Sequence, residues 1–375
     1  MATTDPHPHR DPRRDALVTF LWMVAVLVVM DLALGAVLRM PDDPRTPPSR
    51  LAMYLDFGTS LTGKLRRLAG PSDSLAAPVA HAGWLDPASW PAPAPVAAGK
   101  RRIAVYGQSF TYAIMDTLAA HDSSVVLRPL GGPSAPPGHL YALWREDRRR
   151  TPAAVRVLGV LASSVRGMDA TTGATWMFES PYPYVYPHWR IVGDSLVGAA
   201  PMFTSLAGLR QTLADPVQLG AWRARLAADD AWFEPVLFDA NAADHSVILR
   251  LLRRAWAQRQ QREHLARVHG PKGFASGEQL RVLGALLLDF ARTTRADGET
   301  PVILLLEDQG YDDHLVRALG PGLRAAGVAY IGSEQIAPAG DPRNFMPDGH
   351  FVGTANQRLA AAVDSLVHAS DGRAR

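Results

Sequence analysis

The sequence predicts an α/β protein, a parallel sheet with helices on both faces, preceded by one transmembrane helix. Three observations carry that prediction. Short, continuous apolar runs alternate with helix-length segments around residues 103–161, and the pattern resumes over 302–331. The run Ala16–Leu38 is almost wholly apolar, with Asp31 its one charge, and exceeds the roughly 20 residues that cross a bilayer. The chain has 375 residues, 47% of them hydrophobic, enough for one large core or two small ones.

Taken in order, residues 1–15 read as a cytoplasmic tail and 16–38 as the anchor. Arg10, Arg13 and Arg14 precede the apolar run and favour a cytoplasmic N-terminus with an extracytoplasmic body, while Arg39, Arg45 and Arg50 beyond it weaken that bias. A cleaved signal peptide is the competing reading, but its apolar region normally spans roughly 7–15 residues. A buried soluble helix is a third. Asp31 suits either a polar contact with another membrane helix or a place at the outer interface. Residues 39–99 form a linker and a helical or loop region. Residues 41–50 are rich in Pro and Arg, 51–70 suggest one short amphipathic helix ending at Gly70-Pro71, and Pro87–Gly99 punctuates the chain again.

The α/β domain is expected over 100–370. Strands are predicted at Ile103–Tyr106, Val125–Leu127 and Val155–Leu161, with helices at Thr111–Ala120 and His139–Arg149. The middle third breaks the alternation, so 168–275 reads as an insertion. Residues 168–200 are loop-like and rich in aromatics and proline, and 205–268 are largely helical. Arg250, Arg253, Arg254, Arg259, Arg262 and Arg267 make one stretch strongly basic. That suits a solvated helix face, or a surface meeting acidic lipid headgroups or a partner. Ser276 with Gln279 resembles a capping box opening a helix whose apolar side carries Leu280, Leu283, Leu287 and Phe290. A strand at Val302–Leu306, a helix at Asp312–Ala326, a strand at Val328–Ile331 and a helix at Gly353–His368 complete the domain. A flavodoxin-like sheet is the expected arrangement.

Composition narrows the chemistry. There is no cysteine, which excludes disulfides, thiolate metal sites and a cysteine nucleophile. The net charge of +3 is small and the basic residues form no nucleic-acid stripe. The histidines are scattered, His7 and His9 lie in the tail, and no phosphate-binding or dinucleotide fingerprint occurs, so neither metal nor cofactor is expected. Ligands in open parallel sheets bind at the C-terminal strand ends near the switch in strand order. Ser109 follows the first strand, Ser163 the third, and Asp348 and His350 the last. A serine needs a base to become a nucleophile, and an imidazole needs a carboxylate to hold its tautomer. Ser109, His350 and Asp348 supply one of each. Taken singly, the serine also suits a helix N-cap and Asp-Gly-His a turn.

Gly107-Gln108-Ser109-Phe110 after a strand, and Asp348-Gly349-His350-Phe351 before a helix, resemble the first and last blocks of the SGNH (GDSL-type) hydrolase family. The order Ser, Asp, His matches too, and Gln108 replaces the usual aspartate of the first block, which lies outside the triad. The resemblance implies Ser109 as nucleophile, His350 as base and Asp348 as its orienter. It also implies an oxyanion hole from the Ser109 N–H, a second block at Leu130–Ser134 and a third at Val157–Ser164. Ser134 stands at the family's glycine, and Ser163 where the family has asparagine. Losing one such donor costs about 10²–10³ in rate. The segment Trp176–Trp189 resembles the Tyr-rich Glu-x-Pro stretch of membrane-anchored bacterial members, as do Gly63-Lys64-Leu65 and Gly83-Trp84-Leu85. Its aromatics, Trp176, Tyr182, Tyr184 and Trp189, suit stacking on sugar faces, or equally a role covering the core or meeting another protein.

The resulting expectation is a membrane-tethered, extracytoplasmic serine acyltransferase or esterase acting on O-acyl groups of a cell-surface polysaccharide. By resemblance it would work beside a multi-pass membrane O-acyltransferase. A simple carbohydrate esterase and a catalytically weak binding or assembly subunit are the rivals.

Overall fold

The computed structural model describes residues 11–275 and 277–371. Arg10, His7, His9 and the serine of the Ser276 capping box therefore lie outside the described residues. The chain opens with α1 (Pro12–Val37), which starts on Asp11, whose carboxylate accepts from the Arg13 N–H, and carries Pro12 in its first turn. None of its residues is buried, and it is long and apolar enough to cross a membrane.

The segment expected as one helix over 51–70 is two, α2 (Arg50–Asp56) and α3 (Leu61–Ala69). Ser60 causes the break, because its hydroxyl accepts from the Gly63 N–H and starts a new helix. After a series of short turns come β1 (Arg101–Gly107), α4 (Ser109–His121), β2 (Val125–Gly131), α5 (Pro137–Asp147) and β3 (Val155–Leu161). The middle of the chain holds α6 (Gly173–Trp176), β4 (His188–Val192), β5 (Ser195–Ala199), α7 (Leu206–Ala214), α8 (Pro216–Asp229), α9 (Pro235–Phe238) and α10 (Val247–Val268). A two-residue hairpin, β6 (His269–Gly270) with β7 (Gly273–Phe274), precedes α11 (Glu278–Ala296), β8 (Thr300–Leu306), α12 (His314–Ala325), β9 (Tyr330–Gly332) and α13 (Gly353–Asp371).

Five strands form one parallel sheet in the order β2-β1-β3-β8-β9. Their side chains alternate between two apolar layers, which is why the sequence shows continuous apolar runs. Ile103, Val105, Val302, Leu304 and Leu306 pack under α4 and α13. Ala104, Tyr106, Leu158, Val160, Ile303 and Leu305 face the layer containing α5, α11 and α12. Arg156 is the one charge inside β3 and is fully buried. Its guanidinium reaches Glu299, the Tyr106 hydroxyl and the Thr151 carbonyl, so it belongs to the structure at the sheet's other end.

Three further sequence expectations need correction. The second strand runs on to Gly131 through Pro129, which is tolerated because β2 is an edge strand. The supposed loop at 168–200 contains the β4–β5 hairpin, signalled by Gly193-Asp194 between apolar runs, with Gly193 at φ 58°. The basic face of α10 is also less solvated than its composition suggests. Arg250 and Arg253 are buried, Arg253 pairs with Asp244, and Arg254 pairs with Glu179.

Candidate active site

The strand order reverses between β1 and β3, since β2 lies to one side of β1 and all later strands to the other. A cleft opens there at the C-terminal strand ends, as the topology requires. Gln108 ends the extended run and Ser109 is the first residue of α4. Helix and sheet approach closely at this point. A Cβ added to Gly159 on β3 would lie 2.0 Å from Thr111 Oγ1, in the first turn of α4 two residues after Ser109. Glycine at this position sets the height of the serine above the sheet.

Ser109 Oγ lies 2.7 Å from His350 Nε2, across 241 residues of sequence. The loop that brings His350 there is tightly tied. Gly349 N–H donates to the Met346 carbonyl, Met346 N–H donates to the His350 carbonyl, and Gly349 takes φ 88°, a conformation that favours glycine. His350 stacks on Phe110 with ring centroids 4.8 Å apart, and Phe351 meets Phe110 edge-on. Asp348 Oδ2 stands 3.3 Å from His350 Nδ1, while its Oδ1 accepts from the His350 N–H at 3.1 Å. That backbone donor, joined by the imidazole, holds the Asp348 carboxyl below its ordinary value. A carboxylate on Nδ1 favours the tautomer that leaves Nε2 free to accept from serine.

The cleft has a volume of about 340 Å³, and Ser134, Ser163, Trp176 and Tyr182 line it beside the triad-like group. Gln108 Nε2 donates to the Ala135 carbonyl at 2.6 Å and so ties the Ser134 loop to the first block. Ser134 itself sits at φ 54°, the left-handed region that side chains rarely adopt. The Ser163 N–H donates to Asp308 Oδ1 at 3.0 Å, and the Ser163 hydroxyl faces the same carboxylate. A larger depression of about 700 Å³ lies over Tyr141 and Arg292, away from this chemistry.

Two of the four candidate sugar-stacking aromatics do not reach the cleft. Tyr184 is fully buried, its hydroxyl donating to the Pro133 carbonyl and its ring against Gly83 and His139. His139 is held neutral by burial, which pushes its pKa down to about 4, and its Nε2 contacts the Gly83 carbonyl. Trp189 is buried on Gly138, donating Nε1–H to its carbonyl at 2.9 Å. The physical reason is that the proline-stiffened segment folds its aromatics inward. Tyr184 braces the Ser134 loop from behind. Lys64 extends the brace: it is buried, its Nζ donates to the carbonyls of Phe57 and Phe178 at 2.6 Å each, and burial lowers its pKa to about 7.

Arg166, Asp308 and Gln309 also line the cleft and escaped sequence reading. Asp308 and Gln309 follow β8, so the strand-end rule that pointed to Ser109 would have found them. Burial pushes the Asp308 carboxyl above its ordinary value. The Arg166 guanidinium lies 5.3 Å from the Trp176 ring. Among the described residues no group of three or more His, Asp or Glu side chains is placed to hold a metal. Comparison with protein-family models, curated proteins and solved structures finds no match to this chain.

Proposed function

We propose that the chain is a membrane-tethered SGNH-type serine acyltransferase or esterase that handles O-acyl groups on a cell-surface polysaccharide. The observation that carries this reading is the 2.7 Å contact between Ser109 Oγ and His350 Nε2 at the switch point, with Asp348 on the far ring nitrogen. Several further features support it. The strand order suits a flavodoxin-like sheet, and the helices α7–α10 between β3 and β8 suit an insertion. Ser134 adopts the backbone conformation expected where the family carries glycine. The apolar α1 suits a single-pass anchor in the cytoplasmic membrane with a periplasmic body, beside a multi-pass O-acyltransferase partner.

In this mechanism Ser109 Oγ attacks the acyl carbonyl as its proton passes to His350 Nε2. The tetrahedral oxyanion meets the Ser109 N–H and the Ser134 loop. Its collapse breaks the ester bond, and the leaving alcohol takes the proton from Nε2. A sugar hydroxyl or water then gives its proton to Nε2, attacks the acyl-serine and releases the new ester or acid, and the proton returns to Ser109 Oγ. Asp348 stabilises the imidazolium at each stage. Tyr182, with the cleft-lining edge of the largely buried Trp176, would meet the sugar in place of Tyr184 and Trp189.

Hydrolysis is the second reading, favoured by access. Ser109 is exposed and the His350 side chain is 35% exposed, so water reaches the acyl-enzyme. The test is labelling with a fluorophosphonate, together with p-nitrophenyl acetate turnover. Ser109→Ala should abolish labelling and lower turnover at least about 10³-fold, with little change in thermal midpoint because the hydroxyl is exposed. Equal turnover by variant and parent would remove the chemistry from Ser109. Acetylated oligosaccharide in the product would identify transfer, and acetate alone would identify the esterase.

A further inference from the structure

The body meets α1 at a charged cavity in which one lining guanidinium has no ion-pair partner. About 450 Å³ of space lies between the C-terminal end of α1, the linker that follows it and the start of α10. Three carboxylates line it, and each already has a guanidinium partner: Asp42 with Arg39, Asp56 with Arg67, and Asp244 with Arg253. Arg250 is the lining arginine that pairs with none of them. It is 8% exposed, yet its side chain has no hydrogen bond or ion pair among the described residues, and its Nε is buried without a partner. A buried guanidinium is costly to desolvate and strongly favours an anion that can accept two of its N–H bonds. His245, on the same wall, is a second side chain able to donate.

The surroundings indicate where that anion comes from. Asp31 of α1 accepts from the Ile248 N–H at 2.8 Å, in the first turn of α10. Asp31 stands six residues before the end of α1, which places this turn about 9 Å back along the helix. A hydrocarbon span of about 30 Å starting at Ala16 ends near residue 35, so the cavity, lined from Leu32 to Asp42 along this side, straddles the headgroup boundary, with Asp31 just inside it. Beside the cavity, α2 and the start of α10 expose apolar side chains to solvent: Leu51, Tyr54, Leu249, Leu252 and Trp256. Leu252 is 63% exposed. Apolar residues with a tyrosine and a tryptophan next to a spanning helix are the composition of a membrane interface.

The geometry points to a lipid site: the cavity takes the phosphate of a membrane phospholipid on Arg250, and the lipid's chains run along α1 and the apolar foot of α2 and α10. This rests on the reading of α1 as a membrane span. The site would fix the height and tilt of the body, and hence of the cleft, relative to the bilayer.

The full chain in uncharged maltoside micelles supplies the test, with the thermal midpoint followed against dihexanoylphosphatidylglycerol and, separately, inorganic phosphate. The lipid should raise the midpoint saturably, and phosphate at the same concentration should not. Arg250→Met should weaken the lipid response at least about tenfold, and Arg250→Lys, which keeps the charge but not the paired N–H groups, should respond between that variant and the parent. Without lipid, Arg250→Met should hold or raise the midpoint, because it removes a buried cation that has no partner. A lower midpoint for that variant without lipid, or equal lipid responses in variant and parent, overturns the site. An equal effect of inorganic phosphate overturns the lipid as its source. Retention of parent and Arg250→Met in membranes after alkaline washing reads the anchor by itself. Loss of both from the pellet sinks the span and the site together, whereas retention without a lipid response sinks the site alone.

Discussion

Replacing Glu307 by glutamine separates the electrostatics at the end of β8 from its packing. Glu307 directly follows β8 and is fully buried beside Asp308. One carboxyl oxygen accepts from the N–H groups of Leu315 and Val316 at the start of α12, at 2.7 and 3.0 Å, and the other has no partner. Burial pushes the carboxyl from 4.5 up to about 8. The folded chain therefore binds this proton more tightly than the unfolded chain. Its stabilising effect is complete below pH 4.5 and is lost as pH rises towards 8. At 1.36 kcal/mol per unit, the loss between pH 5 and pH 8 is about 3–4 kcal/mol. Glutamine keeps the acceptor for the two N–H groups and cannot ionise. Urea unfolding followed by tryptophan fluorescence at pH 5, 6.5 and 8 should show the variant gaining on the parent by that amount as pH rises. Parallel curves would mean that Glu307 does not hold a proton across this range, and would refute the reasoning.

Two further outcomes follow from the close contacts at the site. Gly159→Ala places a methyl against Thr111 and should lift the start of α4, costing about 1–3 kcal/mol of stability and lowering p-nitrophenyl acetate turnover about 10²-fold. Turnover unchanged from the parent would show that the height of Ser109 does not depend on that contact. Tyr184→Phe removes the hydroxyl that holds the Pro133 carbonyl and should cost about 1 kcal/mol with a fall in kcat at unchanged KM for oligosaccharide. A rise in KM alone would return Tyr184 to the sugar.

Much of this protein is readable from the sequence, and the reason is local. Continuous apolar runs mark strands buried on both faces, and every strand of the main sheet except the proline-bearing end of β2 follows from that pattern. The apolar length of α1 and the pairing of a serine with Asp-Gly-His at strand ends are equally local signals. What the chain does not disclose locally is which residues share an edge once the sheet is built. Asp308 and Gln309 lie past the end of a strand legible in the sequence, but only the strand order, with β8 beside β3, puts them in one cleft with Ser109. The aromatic segment reads as an exposed platform because its rings are spaced by prolines. Only packing shows that Tyr184 and Trp189 turn inward, because their rings lie against glycines distant in sequence, Gly83 and Gly138. The state of Arg250 is likewise invisible in a run of arginines. Whether a cation is solvated, paired or buried alone depends on partners from other elements, and only the tertiary structure assigns those partners.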